Sequence, residues 1–351
     1  ARGGGVHKRP AAAARVAPAA KRARPAAAPP TVLLSNGTTV PVVGFGTAFF
    51  YGDPVVRRPE VTYTALPAAL DAGYRHIDSA AMYGNERQVG NVLGRYFMEG
   101  KLARDDVFVT TKVGHPPTTD YPDAKTQYLF DPERSAYDGA LEEFYGSLRE
   151  LGLGYVDLLL IHWPGLFEAP QRFPEGWGPP RLSAAQGAQK RRDMWAALER
   201  AHELGLARAI GVSNFSQRHL QDILPASRVR PMMNQIEIHP YLQQNDLVDF
   251  CDGLGIRVTA YSPLAGGALR VLEDEALVAL AARKRVTPAG LVLSWLLSRG
   301  IVVIPKSSSP GRAAENLAAP GLCCALGPED LRAIAGLDCG RRMCPDPESI
   351  P

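Results

Sequence analysis

The chain has 351 residues, 46% hydrophobic and 21% charged, which is long enough to bury a sizeable core and ordinary for a globular protein. This composition excludes a wholly disordered chain, and no apolar run approaches the roughly 18 residues needed to cross a bilayer, so no membrane partner is expected. The net charge of +3 is uneven: residues 1–30 hold seven basic side chains (Arg2, Lys8, Arg9, Arg15, Lys21, Arg22, Arg24) and no acid, leaving −4 on the rest, which speaks against nucleic acid as a partner of the body.

Taken in chain order, the Ala/Pro-rich stretch 1–30 reads as a disordered arm preceding a body at 31–351. An Arg-rich, acid-free arm also fits a transit peptide, and Lys21-Arg22-Ala23-Arg24 a nuclear signal. The expected location is cytoplasmic, with a plastid or mitochondrion as the alternative. Five cysteines, Cys251, Cys323, Cys324, Cys339 and Cys344, are too few and too irregularly spaced for a disulfide framework or a C-x-x-C metal site.

Thr31–Leu34 and Thr38–Val43 flank Asn36-Gly37, a two-residue hairpin signal. Eight short apolar runs follow, at Val42–Gly46, Tyr74–Asp78, Val107–Lys112, Val156–His162, Ala207–Val212, Pro231–Gln235, Arg257–Tyr261 and Ile301–Pro305. Between them lie helical patterns such as Glu60–Ala72, Glu86–Tyr96, Glu133–Leu151, Lys190–Leu204 and Thr287–Leu297, many ending at Gly. Strand–helix alternation calls for a parallel sheet, and eight repeats predict an α/β (β/α)8 TIM barrel, with a doubly wound sheet as the competing architecture. No G-x-G-x-x-G follows the first strand and no P-loop is present, so neither device would hold a nucleotide here.

Polar residues close nearly every apolar run: Asp78, Lys112, His162, Ser213-Asn214, Gln235, Tyr261 and Lys306-Ser307. A single strand-end Asp, Asn or His is commonly a turn, cap or buried structural residue, but so many at one end of a parallel sheet point to a shared site. Tyr83 lies in the loop after Asp78. An ammonium at Lys112 beside its hydroxyl would favour the phenolate and lower a pKa that is otherwise near ~10. Asp78 can hold Lys112, and His162 can donate to a substrate oxygen as it gains negative charge. Such a set can protonate a carbonyl oxygen while a nicotinamide supplies hydride, which no side chain can do.

Taken together, these residues resemble an aldo-keto reductase over 31–351. The resemblance is carried by Gly73-Tyr74-Arg75-His76-Ile77-Asp78-Ser79-Ala80 with Tyr83-Gly84-Asn85-Glu86, and by Lys112 in Val109–Val113 and His162 in Leu160–Pro164. It is carried also by Gly211–Phe215, Asn234–Tyr241, Tyr261-Ser262-Pro263-Leu264 and Ile304–Asn316. The resemblance implies a barrel closed at its base by the N-terminal hairpin, NADPH/NADP+ as cofactor, and a small-molecule aldehyde or ketone as substrate, with an open-chain sugar one candidate. By that likeness Tyr83 donates the proton, and Asp78, Lys112 and His162 tune and orient. Ser213, Asn214 and Gln235 hold the carboxamide, and Tyr261 stacks on the nicotinamide ring, with Ser262 and Leu264 alongside. Lys306, Ser307, Ser308, Ser309 and Arg312 meet the adenosine 2′-phosphate, and Glu315 and Asn316 the adenine. Charge supports the phosphate assignment, with Arg as a fork, Lys as a point charge and a helix start behind them.

The loops depart from the family pattern. Ala48-Phe49-Phe50-Tyr51 stands where many relatives carry a Trp in the substrate pocket, and Gly165–Gln189 is long and rich in Pro and Gly. Phe49, Phe50, Tyr51, Trp163 and Trp177 are candidate pocket walls. The loop Ala265-Gly266-Gly267-Ala268 is short for one that folds over a pyrophosphate, and the tail Gly340–Pro351 either reaches the pocket mouth through Met343 and Pro345 or is a frayed end. A monomer is expected. The other readings are an NADP-dependent sugar or polyol dehydrogenase, and a cofactor-binding regulatory subunit with little turnover.

Overall fold

The computed structural model describes residues 29–51, 56–116, 124–165, 182–267, 269–322 and 326–351. Most of the basic arm, the segment with Phe167, Phe173 and Trp177, and the Cys323–Cys324 pair lie outside the described residues, as do the side chains of Phe50 and Tyr51.

In chain order the elements are β1 (Thr31–Leu33), β2 (Thr39–Pro41), β3 (Phe45–Gly46), β4 (Phe50–Tyr51), β5 (Val56–Arg57), α1 (Thr62–Ala72), β6 (His76–Asp78), α2 (Glu86–Met98), β7 (Phe108–Val113), α3 (Ala136–Leu151) and β8 (Val156–Ile161). They continue with α4 (Ala184–Glu203), β9 (Ala207–Ser213), α5 (Gln217–Ile223), β10 (Met233–Glu237), α6 (Asn245–Gly253), β11 (Arg257–Tyr261), α7 (Glu275–Lys284), α8 (Pro288–Ser298), β12 (Val302–Val303), α9 (Pro310–Leu317) and α10 (Pro328–Ala335).

Among the described residues eight strands form one sheet in the order β12-β11-β10-β9-β8-β7-β6-β3, every pair parallel. The sheet closes on itself. Val43 bridges Val303 in parallel, Gly44 N–H donates to Val303 O at 2.8 Å, and Val303 N–H donates to Val42 O at 2.9 Å. This is the (β/α)8 barrel. Its strands are buried along nearly their whole length because helices cover the outer face and side chains fill the interior; every residue of β7 and β8 is buried.

The hairpin β1–β2 is antiparallel, with Leu33 opposite Thr39. Its loop is one residue longer than the Asn-Gly signal implies. Gly37 N–H bonds Leu34 O at 3.0 Å, Leu34 N–H bonds Thr38 O at 2.9 Å, and Gly37 takes φ +86°, a turn followed by a left-handed residue. Asn36 reaches Arg208 O at the start of β9, and Arg257 at the start of β11 reaches Leu33 O. The hairpin therefore plugs the end of the barrel where the strands begin, opposite the polar strand ends.

Helix boundaries follow local chemistry. Ser183 and Gln186 form a reciprocal capping box that starts α4 six residues before the apolar periodicity does. The docking of α2, which follows the Tyr83 loop, depends on Gly90: a Cβ there would lie 2.3 Å from Leu151 O at the end of α3. Gly90→Ala should therefore push α2 off α3 and cost roughly 2 kcal/mol. Urea denaturation would measure this, and an unchanged midpoint would contradict the close approach.

Candidate active site

Asp78 ends β6 and Lys112 lies near the end of the neighbouring β7, so the parallel register brings both to the same rim of the barrel. The Lys112 side chain has no solvent exposure, and its ammonium donates to Asp78 Oδ1 at 2.6 Å, Ser79 O at 2.8 Å and the Tyr83 hydroxyl at 3.3 Å. An ammonium has three N–H groups, so all are used and its aim is fixed. The other Asp78 oxygen accepts from Gln235 Nε2 at 2.8 Å, across the barrel from β10. Burial disfavours the charged lysine, but Asp78 and Tyr83 outweigh it and the Lys112 pKa is raised. The lysine therefore stays charged beside Asp78.

The lowered phenol pKa expected for Tyr83 is not what the geometry produces. Burial of its hydroxyl pushes the pKa up; Lys112 opposes this and Asp78 reinforces it. With Asp78 only 2.6 Å from the ammonium, much of the field that would favour a phenolate is cancelled. Tyr83 therefore holds its proton.

His162 follows β8 directly, its ring 5.8 Å from that of Tyr83 at 80°. Burial, His115 and Lys112 all disfavour a second proton, so its pKa lies well below the usual imidazole value. The neutral ring keeps one N–H to donate, and its buried Nδ1 has no hydrogen-bond partner among the described residues. Asn214, after β9, takes the left-handed φ of 60° that Asn tolerates. Its amide donates to His162 O at 2.9 Å and accepts from the Tyr261 hydroxyl at 2.7 Å. Ser213 donates to Gln235 O at 2.8 Å. The eight residues Asp78, Tyr83, Lys112, His162, Ser213, Asn214, Gln235 and Tyr261 thus form one connected group.

A second cluster follows β12. Ser307 and Ser309 form a tight turn, with Ser307 Oγ donating to Ser309 O and accepting from Ser309 N–H. Ser309 caps α9 without a side-chain bond to it, so the first-turn N–H groups of α9 receive none from that hydroxyl. Lys306, Ser308 and Arg312 are exposed, and neither cation has a carboxylate partner among the described residues. Glu315 instead accepts from Thr287 at the N-terminus of α8, and Asn316 is buried. Ser262, at φ +46°, and Leu264 are half-buried on the rim beside Tyr261.

The candidate pocket walls separate. Phe49 is 6% exposed and packs on Phe45, 6.4 Å between centroids, which places it in the hydrophobic core and not in a pocket wall. Trp163 is buried beside His115 and under Ile350 and Cys344 of the C-terminal tail. The tail is not frayed: Arg218 and His219 donate to Ile350 O at 2.6 and 3.1 Å.

Several residues of the site lie behind the strand-end pattern. Thr47 N–H and Oγ1 both donate to Asp78 O, at 3.0 and 2.9 Å, and Asn85 Nδ2 donates to Thr47 O at 2.7 Å. Glu86 opens α2 and accepts from Thr111, the residue before Lys112. Both Asn85 and Glu86 stand in the Tyr83 motif, which is the signal that could have singled them out. Burial pushes the Glu86 pKa up to about 7 from an ordinary 4.5, with Thr111 and Ser147 opposing. A carboxyl whose folded pKa is raised stabilises the fold fully below its unfolded pKa and loses that contribution as pH rises through the folded value. Between pH 4.5 and 7 Glu86 should therefore erode stability, and Glu86→Gln should stabilise the chain at pH 8 by up to about 3 kcal/mol, with little gain at pH 4. Guanidinium unfolding at both pH values would measure the difference; equal gains would remove Glu86 as the cause.

Comparison with known proteins gives the family. The model of the Aldo/keto reductase family matches residues 42–338. An aldo/keto reductase of Synechocystis sp. is 38% identical over 87% of this chain and 88% of its own. Aldose reductase B of Dictyostelium discoideum is 37% identical over 87% and 91%, and glyoxal reductase of Bacillus subtilis 36% over 91% and 97%. Among solved structures, a Bombyx mori aldo-keto reductase in complex with NADP superposes with a TM-score of 0.73 at 32% identity, covering 91% of this chain and 96% of that one. The chain belongs to the aldo/keto reductase family, whose members are oxidoreductases acting on carbonyl groups.

Proposed function

We propose that this protein reduces an aldehyde or ketone to the alcohol with NADPH. The observation that carries the reading is the fully spent Lys112 ammonium holding a protonated Tyr83 next to a neutral His162. Two neutral donors whose rings lie 5.8 Å apart can bind a carbonyl oxygen together. Tyr83 gives its proton to that oxygen, and Lys112, already in contact, stabilises the phenolate left behind. His162 donates to the same oxygen and fixes the carbonyl's orientation.

A nicotinamide bound here would supply the hydride, the one part of the chemistry that no side chain can provide. The residues present fit such a group. Lys306 and Arg312, without carboxylate partners among the described residues, face solvent where a phosphate dianion would be neutralised, and the Tyr261 ring stands on the rim beside the Ser213, Asn214 and Gln235 cluster. The family and the NADP-bound relative support this choice. Aldehydes, including open-chain sugars, are the proposed substrates; relatives carry the names aldose reductase and glyoxal reductase.

Tyr83→Phe should lower the rate of NADPH oxidation with an aldehyde by roughly 10²–10⁴-fold while NADPH binding, followed by fluorescence quenching, stays nearly unchanged. Loss of both would make Tyr83 structural. Lys306→Ala combined with Arg312→Ala should weaken NADPH by about tenfold or more and leave NADH nearly untouched; equal losses for both dinucleotides would refute the phosphate assignment.

A further inference from the structure

Glu237 ends β10, two residues after Gln235, and its side chain is 1% exposed. A buried carboxylate needs donors to offset its lost hydration, and among the described residues it has no Lys or Arg. It has instead the backbone N–H of Met343 at 2.6 Å, that of Cys344 at 2.9 Å, and His239 Nε2 at 2.9 Å. One carboxylate thus grips two consecutive amides of the C-terminal tail, which sets the tail's register to a single residue.

That register decides what the next two side chains meet. Met343 lies against the short loop after β11: a Cβ added to Gly266 would sit 2.6 Å from the Met343 methyl. The Cys344 thiol faces the Tyr261 hydroxyl and packs with Trp163 and Ile350. Further along, His219 accepts from Ser216 N–H at Nδ1, so its Nε2 carries the proton and donates to Ile350 O. The tail therefore crosses the rim from the Tyr261 loop to Trp163, pinned at both ends.

We propose that Glu237 is a positioning residue, whose grip on the Met343 and Cys344 amides holds the tail as a clasp, from Gly266 to Trp163, over the bound dinucleotide. This rests on the NADPH reading above. The turn at Ala265–Gly267 is short, and the Met343 side chain packs against its Gly266, extending the cover from the tail.

The test uses the full chain. In Glu237→Gln, trypsin should release residues 343–351 after Arg342 about tenfold faster than in the parent, with the barrel left intact and without any turnover being needed. NADPH should slow that cut in the parent far more than in the variant. The KM for NADPH should rise by about fivefold or more, with kcat within about twofold. Met343→Ala, which removes only a side chain, should raise the KM for NADPH on its own and add nothing in the Glu237→Gln background; it also carries the test if Glu237→Gln does not fold. Parental cutting in Glu237→Gln would overturn the proposal, as would faster cutting with an unchanged KM, or fully additive effects of the two substitutions. If instead Tyr83→Phe kept full activity, the reductase reading would fall while the cleavage result stood.

Discussion

An ammonium sealed from water must spend every N–H it has, and the site is organised around how Lys112 does so. Its three bonds go to a carboxylate on β6, a backbone carbonyl just beyond that strand and the phenol of the following loop. Three neighbouring pieces of chain are fixed relative to one another by one side chain. Gln235 extends the constraint across the barrel through the second Asp78 oxygen, and the Ser213, Asn214 and Tyr261 contacts extend it round the rim. Loss of any one partner would leave a buried charge or donor exposed to the full cost of desolvation.

The same burial that makes the ion pair demanding sets the protonation of its neighbours. Tyr83 and His162 are both held neutral, the first by a raised and the second by a lowered pKa, each with burial as the leading cause. Low local polarity acts on an acid and a base in opposite directions and arrives at one outcome, two uncharged hydrogen-bond donors. Such donors suit an oxygen that becomes negative during reaction, because they need no reorganisation when the charge appears.

Much of this was legible from sequence because parallel strands bring their ends to one rim: Asp78, Lys112, His162, Gln235 and Tyr261 close apolar runs, and the register of the barrel does the rest. What escaped depends on contacts between distant segments. Glu237 looks like another polar strand end until the tail, more than a hundred residues later, places two amides on it. Phe49 has the composition of a pocket wall, but whether it turns inward depends on the β3 backbone and on Phe45. The direction of the Tyr83 shift is hidden from the sequence because proximity to Lys112 is visible in a motif, whereas the depth of burial is not. The early start of α4 was within reach, since Ser183-x-x-Gln186 is a capping signature that the Pro/Gly-rich segment before it obscured.

The seam between β3 and β12 joins the first and last strands of the barrel. Every other strand pair can form between near neighbours in the chain, but this one must wait for the whole circle to assemble, at a loop-closure entropy that local pairings never meet. Gly46 N–H donates to Pro305 O at 3.3 Å, so the backbone immediately before Lys306 is the far side of that closure. The Lys306–Arg312 segment, proposed above to meet a phosphate, would therefore acquire its shape only at the last zippering step. An open-ring intermediate would already hold the Asp78, Tyr83 and Lys112 trio, with no finished cradle for a phosphate.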